Sequence, residues 1–294
     1  MKIKQSASSR AFDILNVLFI GVVSLLTISP FLYIISASFA TEKEILERPF
    51  FLIPHEFSTF AYRYIFSTNT LLIAFQNSVL ITAAGTAINM FATVTLAYPL
   101  SKRYLHGRNL MLNLVIFSMF FSGGMIPTYL VVKDLKLLET YWSVLLTGAI
   151  SAYNLMIVKN FFQSIPEELE ESARLDGCTD IGALWRIVLP LSMPVLATFS
   201  LFYAVGHWNS YFSALLYMPK SPAKWPIQVV LRQLIILSQG SAGDLSAMDN
   251  ELRKPPDQSM KMAVIVVSTI PIMLVYPFLQ KHFAKGVMVG ALKG

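Results

Sequence analysis

Charged residues and cysteine are both scarce in this chain of 294 residues. Only 14% of its residues are Asp, Glu, Lys or Arg, 55% are apolar, and the mean hydropathy is +0.58. About 25% of the residues of a typical soluble domain are charged, so the composition excludes an ordinary soluble protein and predicts a membrane protein. The one cysteine, Cys178, has no second thiol with which to form an internal disulfide.

Sequence signatures of catalysis and nucleotide binding are also missing. The sequence contains no Gly-Lys dipeptide and therefore no Walker A loop, so any ATP must be hydrolysed by another chain. It has no GxSxG, HExxH or CxxC motif, and its four His residues lack the spacing of metal ligands. The net charge of +6 comes with no basic run interleaved with aromatic residues, which argues against nucleic-acid binding. We therefore expect no catalytic, cofactor or metal site in this chain.

The sequence contains six long apolar runs, each with few charged residues. A run of about 20 residues crosses the hydrocarbon core of a bilayer, which is about 30 Å thick. The first run follows Lys2, Lys4 and Arg10 and is about twice as long as the apolar part of a signal peptide, so we expect a membrane span. Six spans would place both termini on one side, but Lys and Arg divide almost evenly between the two sides and do not assign it. The expected spans lie at about 11–39, 71–100, 110–132, 141–162, 195–218 and 260–279.

A polar segment at 164–194 separates the fourth and fifth apolar runs, and its pattern predicts two short helices at a sharp turn. Ser164 and Glu167 have the spacing of a capping box at a helix start. Gly177 is the residue type that ends a helix in the left-handed conformation. Thr179 or Asp180 can cap the second helix, its apolar face comprises Ile181, Leu184, Trp185 and Val188, and Pro190 and Pro194 close it.

The same segment resembles the EAA signature of the transmembrane subunits of bacterial ABC importers. The signature E-A-A-x-x-x-G-x(9)-I-x-L-P is matched without a gap from Glu171 to Pro190, with Ser172 in place of the first Ala. In that family the first helix of the loop, the coupling helix, docks in a groove of the cytoplasmic ATPase subunit. A merely solvated loop is the alternative. The resemblance implies that the ATPase-docking residues are Glu167, Leu169, Glu171, Ser172, Ala173, Asp176 and Gly177.

The resemblance also implies the architecture of the whole chain. We expect an all-α, polytopic type I ABC importer permease with six transmembrane helices and both termini in the cytoplasm, in the bacterial cytoplasmic (inner) membrane. The last residues resemble the tail of the second permease subunit of the maltose importer, which implies ATPase contacts by Met288, Gly290 and Gly294; a frayed terminus is the alternative. The expected parts are a cytoplasmic tail (1–10), a first span with an outer loop (11–70), a core permease domain (71–280) containing the coupling loop (164–194) and a second outer loop (219–259), and a cytoplasmic tail (281–294).

Uncharged polar and aromatic residues fall midway along two of the expected spans. The hydroxyl groups of a sugar form hydrogen bonds with such polar groups, and its C–H faces pack on aromatic rings. Hydrogen bonding between helices, or at the seam between subunits, is an equally weighted alternative. The candidate substrate path comprises Tyr153, Asn154, His207, Trp208, Asn209 and Tyr211.

The function implied by the resemblance is ATP-driven import of a carbohydrate by alternating access. The closest likeness is to maltose-type permeases, including those for pectin- or alginate-derived fragments, so we expect an oligosaccharide, with uronate-containing sugars among the options. The implied partners are a sister permease, two ATPase subunits that bind ATP and Mg, an extracytoplasmic sugar-binding protein and membrane lipid, with no nucleic acid. An ion-coupled secondary transporter is the alternative; it is weakened because no Asp, Glu, Lys or Arg lies near the expected span centres.

Overall fold

The computed structural model describes residues 7–67, 69–238 and 258–291, and most of these residues are helical. Within these ranges no strand is formed, and the one β-bridge joins Ala40 to Phe57. The helices are α1 (Ala7–Ser38), α2 (Glu42–Glu47), α3 (Phe60–Ser67), α4 (Asn69–Ser101), α5 (Arg108–Phe120), α6 (Met125–Asp134), α7 (Tyr141–Leu146), α8 (Ala152–Gln163), α9 (Glu167–Leu175), α10 (Asp180–Ala183), α11 (Leu189–Leu191), α12 (Met193–Asn209), α13 (Phe212–Tyr217), α14 (Ile227–Ser238) and α15 (Gln258–Ala291).

Helix α4 is the centre of the fold, and α12 and α8 pack along it. The close approach of α4 to α12 depends on a small residue, because a Cβ atom added to Gly85 would lie only 2.5 Å from Nε2 of His207 on α12. Buried Asn77 joins α4 to two other segments: its amide nitrogen donates to the carbonyl of Ala223 (2.8 Å), and its oxygen accepts from the Tyr141 hydroxyl (2.8 Å). The elements that carry the candidate sites are therefore fixed to one long helix.

Three described helices are long and apolar enough to cross a membrane, by length and composition: Phe12–Ser38, Asn69–Ser101 and Gln258–Pro277. Two further helix pairs are bent, at 118° and 84°, and the number of spans rises to five if each pair forms one broken span. The large apolar side chains of α1 are exposed, as expected for a helix that faces lipid. The chain is thus a polytopic helical protein, while the number of six spans and the side of the termini remain predictions.

Three of the expected spans are broken. The run 110–132 forms α5 and α6, which meet at 118° around Gly124 (φ +85°). The run 141–162 forms α7 and α8, and Gly148 (φ +85°) lies between them. The run 195–218 is interrupted at Ser210 and Tyr211, between α12 and α13. Non-helical backbone at membrane depth is tolerated only where protein covers it or a water-filled cavity receives it, so these breaks indicate an interior path or a covered seam.

The segment 219–259, expected to be an outer loop, is helical over part of its length. Helix α14 buries Ile227, Val230 and Leu234, which recur at the spacing of one helix face, and packs against α4 and α15. The segment was expected to be a loop because prolines flank this helix. Residues 239–257 lie outside the described residues. Helix α15 continues to Ala291, so most of the tail expected from residue 281 is helical.

The segment 41–67, which was expected to form the first outer loop, is an ordered lobe organised around Glu44. This buried carboxylate accepts the backbone N–H groups of His55 (2.9 Å) and Glu56 (3.1 Å) and pairs with Arg48 (2.5 Å). Because the His55 and then the Glu56 N–H groups stabilise the ionised form, with a further contribution from Arg48, the pKa of Glu44 is held below its usual value of 4.5. One ionised side chain thus holds the two halves of the lobe together.

Candidate coupling surface and translocation path

Helix α9 is the expected coupling helix, and it begins at Glu167 with Pro166 as the N-cap residue. The predicted capping box at Ser164 is wrong: the Ser164 hydroxyl donates to the carbonyl of Phe161 at 2.7 Å. Ser164 is the C-cap residue of α8, where free carbonyl groups need donors, so its hydroxyl is used by the preceding helix. Acidic residues still occupy the first turn of α9, where the positive end of the helix dipole favours them.

The end of α9 is a Schellman motif centred on Gly177. The N–H of Gly177 donates to the carbonyl of Arg174 (3.0 Å), and the N–H of Cys178 donates to the carbonyl of Ala173 (2.9 Å). Gly177 has φ +84°, which confirms the left-handed conformation predicted from sequence. Thr179 caps the next helix by accepting the N–H of Gly182 at 3.2 Å.

The second helix of the loop is longer and less regular than predicted. It runs from Asp180 to Leu191 through a π-helical turn at Leu184–Val188, and Pro190 lies inside it instead of closing it. Pro194 instead lies in the first turn of α12, which turns away by 84°. Two residues of the predicted apolar face, Leu184 and Val188, are buried, whereas the side chains of the other two stay exposed to 71% and 63% of their areas. These are Ile181 and Trp185.

Most of the predicted docking residues lie on the exposed side of α9 and its C-terminal turn. Leu169 is 45% exposed, and Ala173 is half-buried. Leu175, which the sequence analysis missed, is 90% exposed and adds a second apolar side chain to this surface. An apolar side chain left so open on an acidic helix is typical of a surface that a partner covers. The other predicted docking residues, all exposed, are Glu167, Glu171, Ser172, Asp176 and Gly177.

The opposite side of α9 faces the rest of this chain through Glu170, which the sequence analysis also missed. Glu170 is only 5% exposed; its carboxylate accepts a hydrogen bond from the Tyr98 hydroxyl (3.0 Å) and forms an ion pair with Lys102. One turn further along, Arg174 pairs with Asp180 (2.8 Å) and with the hydroxyl of Tyr104. The sequence does not distinguish Glu170 from the other three glutamates near it. Only the position of Lys102 in the fold shows that Glu170 is the one that forms the ion pair.

An apolar groove of about 870 Å³ lies beside this junction. It is bounded by the last turns of α4, the helix from Asp180 to Leu191 and the first half of α12. The exposed side chains of Ile181 and Trp185 line it. The partners of α9 at the end of α4, Tyr98 and Lys102, also line this groove.

The structure gives the candidate path residues on α12 different roles. Trp208 is 5% exposed, donates through Nε1 to the carbonyl of Ser268 (3.0 Å) and packs edge-on against Phe75 at 5.9 Å. His207 lies against Gly85, with Nε2 3.5 Å from Oδ1 of Asn89. These contacts favour the alternative in which Trp208 and His207 connect helices.

Asn209 and Tyr211 are placed differently, at the break between α12 and α13. Asn209 is exposed, and its amide donates only to Val205 of its own helix (3.0 Å). The Tyr211 ring lies under the guanidinium of Arg232, which is 4.7 Å from the ring centroid. Arg232 projects from α14 on the side opposite to the buried Ile227 and Leu234 and was missed because its segment was expected to be a loop.

The remaining candidates lie at the start of α8. Tyr153 is 61% exposed, and the half-buried Asn154 donates its backbone N–H to the Ser151 hydroxyl that caps the helix (3.4 Å). Further along α8, Lys159 is 6% exposed and donates to Oδ1 of Asn160 (3.1 Å). Its neighbours in the fold, not the bilayer, therefore accommodate its charge.

Comparison with known proteins identifies the family. The model of the binding-protein-dependent transport system inner membrane component matches residues 6–289. The chain belongs to this family. The permease is 60% identical to the protein LplC of Bacillus subtilis over 98% of this chain and 96% of that protein. It is 55% identical to the polygalacturonan/rhamnogalacturonan transport system permease protein YtcP of the same organism, over 97% and 99% of the two chains.

A solved structure gives the same result for the fold. The permease superposes with a TM-score of 0.87 and 32% identity on a chain of a bacterial ABC transporter involved in the import of the acidic polysaccharide alginate, over 96% of this chain and all of that one. The fold is therefore that of a type I ABC importer permease, as the EAA resemblance implied, and the chain is a multi-pass protein of the inner membrane. The described residues contain no cluster of His, Cys, Asp and Glu that could hold a metal ion.

Proposed function

We propose that this permease is the translocation subunit of an ATP-driven importer of oligosaccharides that contain uronate units. The observation that carries the proposal is the 55% identity, over nearly the whole chain, to a permease named for polygalacturonan and rhamnogalacturonan. Polygalacturonan is a polymer of a sugar acid, and the importer with the similar fold also handles an acidic polysaccharide. A carboxylate on the sugar ring is therefore the feature that the path of this permease should accommodate.

Arg232 supports an acidic substrate. Its guanidinium is exposed, rests on the Tyr211 ring, and has no ion pair within the described part of the chain. A guanidinium above an aromatic ring can still offer its N–H donors, and their fork matches the two oxygens of a carboxylate. Exposed Asn209 and half-buried Tyr211, at the nearby helix break, supply uncharged groups for the hydroxyls and the ring face of the same sugar.

The transport mechanism follows from the position of α9. Closure of two ATPase subunits on ATP and Mg would move α9, seated by Leu169, Ser172 and Ala173, and the spans would alternate between outward and inward openings. ATP would be bound and hydrolysed only by the ATPase subunits, so this chain would not itself be an enzyme. A sister permease would complete the path, and an extracytoplasmic binding protein would deliver the sugar, in keeping with the family description. The C-terminal contacts by Met288, Gly290 and Gly294 remain part of this proposal; Gly294 lies outside the described residues.

The acidic substrate is tested by replacing Arg232 in the complete importer reconstituted in proteoliposomes. For Arg232→Gln we expect uptake of labelled oligogalacturonate to fall about tenfold, because a charge-assisted hydrogen bond contributes about 1.5–3 kcal/mol. Arg232→Lys should give an intermediate rate, since it keeps the charge but loses the fork. Lys43→Gln, which removes another exposed cation on the lobe at 41–67, is the matched control. Equal loss of neutral-oligosaccharide uptake in Arg232→Gln would contradict a carboxylate contact.

A further inference from the structure

The buried contact between α9 and the end of α4 is separate from the docking surface of α9. Glu170 lies on α9, Tyr98 lies in the last turn of α4, and Lys102 follows directly after that helix. The Lys102 ammonium contacts both carboxylate oxygens of Glu170 and lies 4.6 Å from the centroid of the Tyr98 ring. We call these three residues the α4–α9 joint.

The joint differs from the other polar contacts of α9 in its burial. The side chains of Glu170 and Lys102 are 6% and 14% exposed, whereas those of Arg174 and Asp180 are 37% and 60% exposed. An exposed ion pair is screened by water and contributes little. When a buried pair separates, each charge is left without a partner in a poorly solvated site, which is strongly unfavourable. The two segments that carry the joint are therefore expected to move together.

The joint also lies at the right place to pass on a displacement. Helix α4 is 33 residues long, and α8, α12 and α14 pack against it. Gln163, at the end of α8, donates to the carbonyl of Ser101 (3.1 Å), which strengthens the same end of α4. A rigid connection at Lys102 would convert a shift of the short helix α9 into a shift of the central span.

We propose that the α4–α9 joint is the mechanical link that transmits motion of the coupling helix to the translocation path, with Glu170 as its positioning residue. This inference rests on the proposed ATP-driven transport. In it, Glu170 has a role distinct from the outward-facing docking residues, because it faces the spans of its own chain. Its loss should therefore separate ATP hydrolysis from sugar uptake without releasing the ATPase subunits.

Substitutions in the complete importer test the joint. For Glu170→Gln and Lys102→Met we expect ATPase retention and hydrolysis near wild type, with sugar imported per ATP hydrolysed reduced about tenfold, within the range typical of coupling between sites. The exchanged pair Glu170→Lys with Lys102→Glu should recover part of that ratio, because it restores opposite charges. Glu47→Gln, from the exposed pair with Lys43, and Arg103→Met, the exposed neighbour of Lys102, are the matched controls.

Cross-linking distinguishes a joint from a contact that opens during the cycle. The pair Glu170→Cys and Lys102→Cys, in a Cys178→Ser background, is bridged by a short bismaleimide in the assembled importer. If the joint moves as one body, the bridged importer should regain coupling relative to the unbridged double-cysteine protein. Loss of uptake on bridging, or a ratio for Glu170→Gln equal to that of the controls, would overturn the proposal. Absence of ATP-dependent sugar uptake in the wild-type importer would instead overturn the proposed function itself.

Discussion

Gly177 holds the turn between the two helices of the coupling loop in a conformation that other residues avoid. Its φ is +84°, and a Cβ atom there would meet no atom of this chain within 4 Å, so within the chain a substitution acts through the backbone. For Gly177→Val we expect a cost of about 1–2 kcal/mol for the left-handed conformation and a large loss of uptake, because α9 would change its angle. Uptake and co-purification of the ATPase subunits measure this loss.

Two controls separate the backbone effect from a contact. Gly177→Asn should retain most of the uptake, since Asn tolerates the left-handed conformation better than other non-glycine residues. Cys178→Ser should be silent, because the role of Cys178 in the turn is made by its backbone N–H. Full uptake by Gly177→Val would show that the turn geometry is irrelevant to coupling.

Trp208 and Asn209 are adjacent in sequence, but substitution should affect them in opposite ways. Trp208→Ala removes a buried ring from the core that includes Leu71, Leu234 and Val264, so we expect it to destabilise the permease by about 3–5 kcal/mol. Asn209→Ala should leave assembly and ATP hydrolysis intact and lower uptake, because its amide is exposed at the helix break. Thermal stability of the purified complex and uptake rate, measured on both variants, check this. A stable Trp208→Ala complex with lost uptake would return Trp208 to the path.

Single residues were predictable where one backbone conformation or one local cap decides the outcome. Gly177 and Thr179 are examples, since a left-handed turn and a helix start leave few choices of side chain. Ser164 was mispredicted because it can serve either of two adjoining helices, and the sequence does not say which helix needs the hydroxyl more. Glu170 was missed because its partner Lys102 is distant in sequence, and only the packing of α9 on α4 brings the two together.

At the scale of elements, the stability of the lobe at 41–67 depends on one ionised side chain, that of Glu44. Because the folded-state pKa of Glu44 is lowered, its contribution to stability is complete above the unfolded-state pKa near 4.5 and is lost as the pH falls through the lower, folded-state value. We therefore expect wild type to be more heat-stable than Glu44→Gln at pH 7, and this difference to shrink as the pH falls below about 4.5. Melting curves of both proteins in detergent, across this range, measure it. A difference that is independent of pH would exclude a role for the charge.

The long helices were predictable as elements, and the breaks were not. An apolar run such as Asn69–Ser101 contains enough residues of one kind to predict a span. The sequence does not show that Ser210 and Tyr211 interrupt a run of the same composition, because tertiary contacts decide whether an unpaired backbone group is covered. Helix α14 was hidden for a related reason: flanking prolines indicate a loop, whereas the spacing of Ile227, Val230 and Leu234 indicates a buried face.

At the scale of the whole molecule, the permease presents an exposed surface on α9 to the expected ATPase and also contains a candidate path. Helix α4 connects these two regions. Leu169 and Leu175 on α9 are exposed, while Glu170 on the same helix is bound to the end of α4. The candidate path residues Asn209 and Arg232 lie on α12 and α14, and both helices pack against α4. In the proposed mechanism, ATP hydrolysis by partner subunits supplies the energy that moves this arrangement.

The central claim is that ATP hydrolysis by partner subunits drives import through this chain. The most direct measurement is uptake of labelled oligogalacturonate into proteoliposomes that contain the complete importer, with the binding protein outside, ATP supplied to the ATPase side, and proton and sodium gradients collapsed by ionophores. The account predicts uptake that requires ATP, is insensitive to the ionophores, and is absent when this chain is left out. Uptake that continues without ATP and stops when the gradients collapse would contradict the account and favour an ion-coupled carrier.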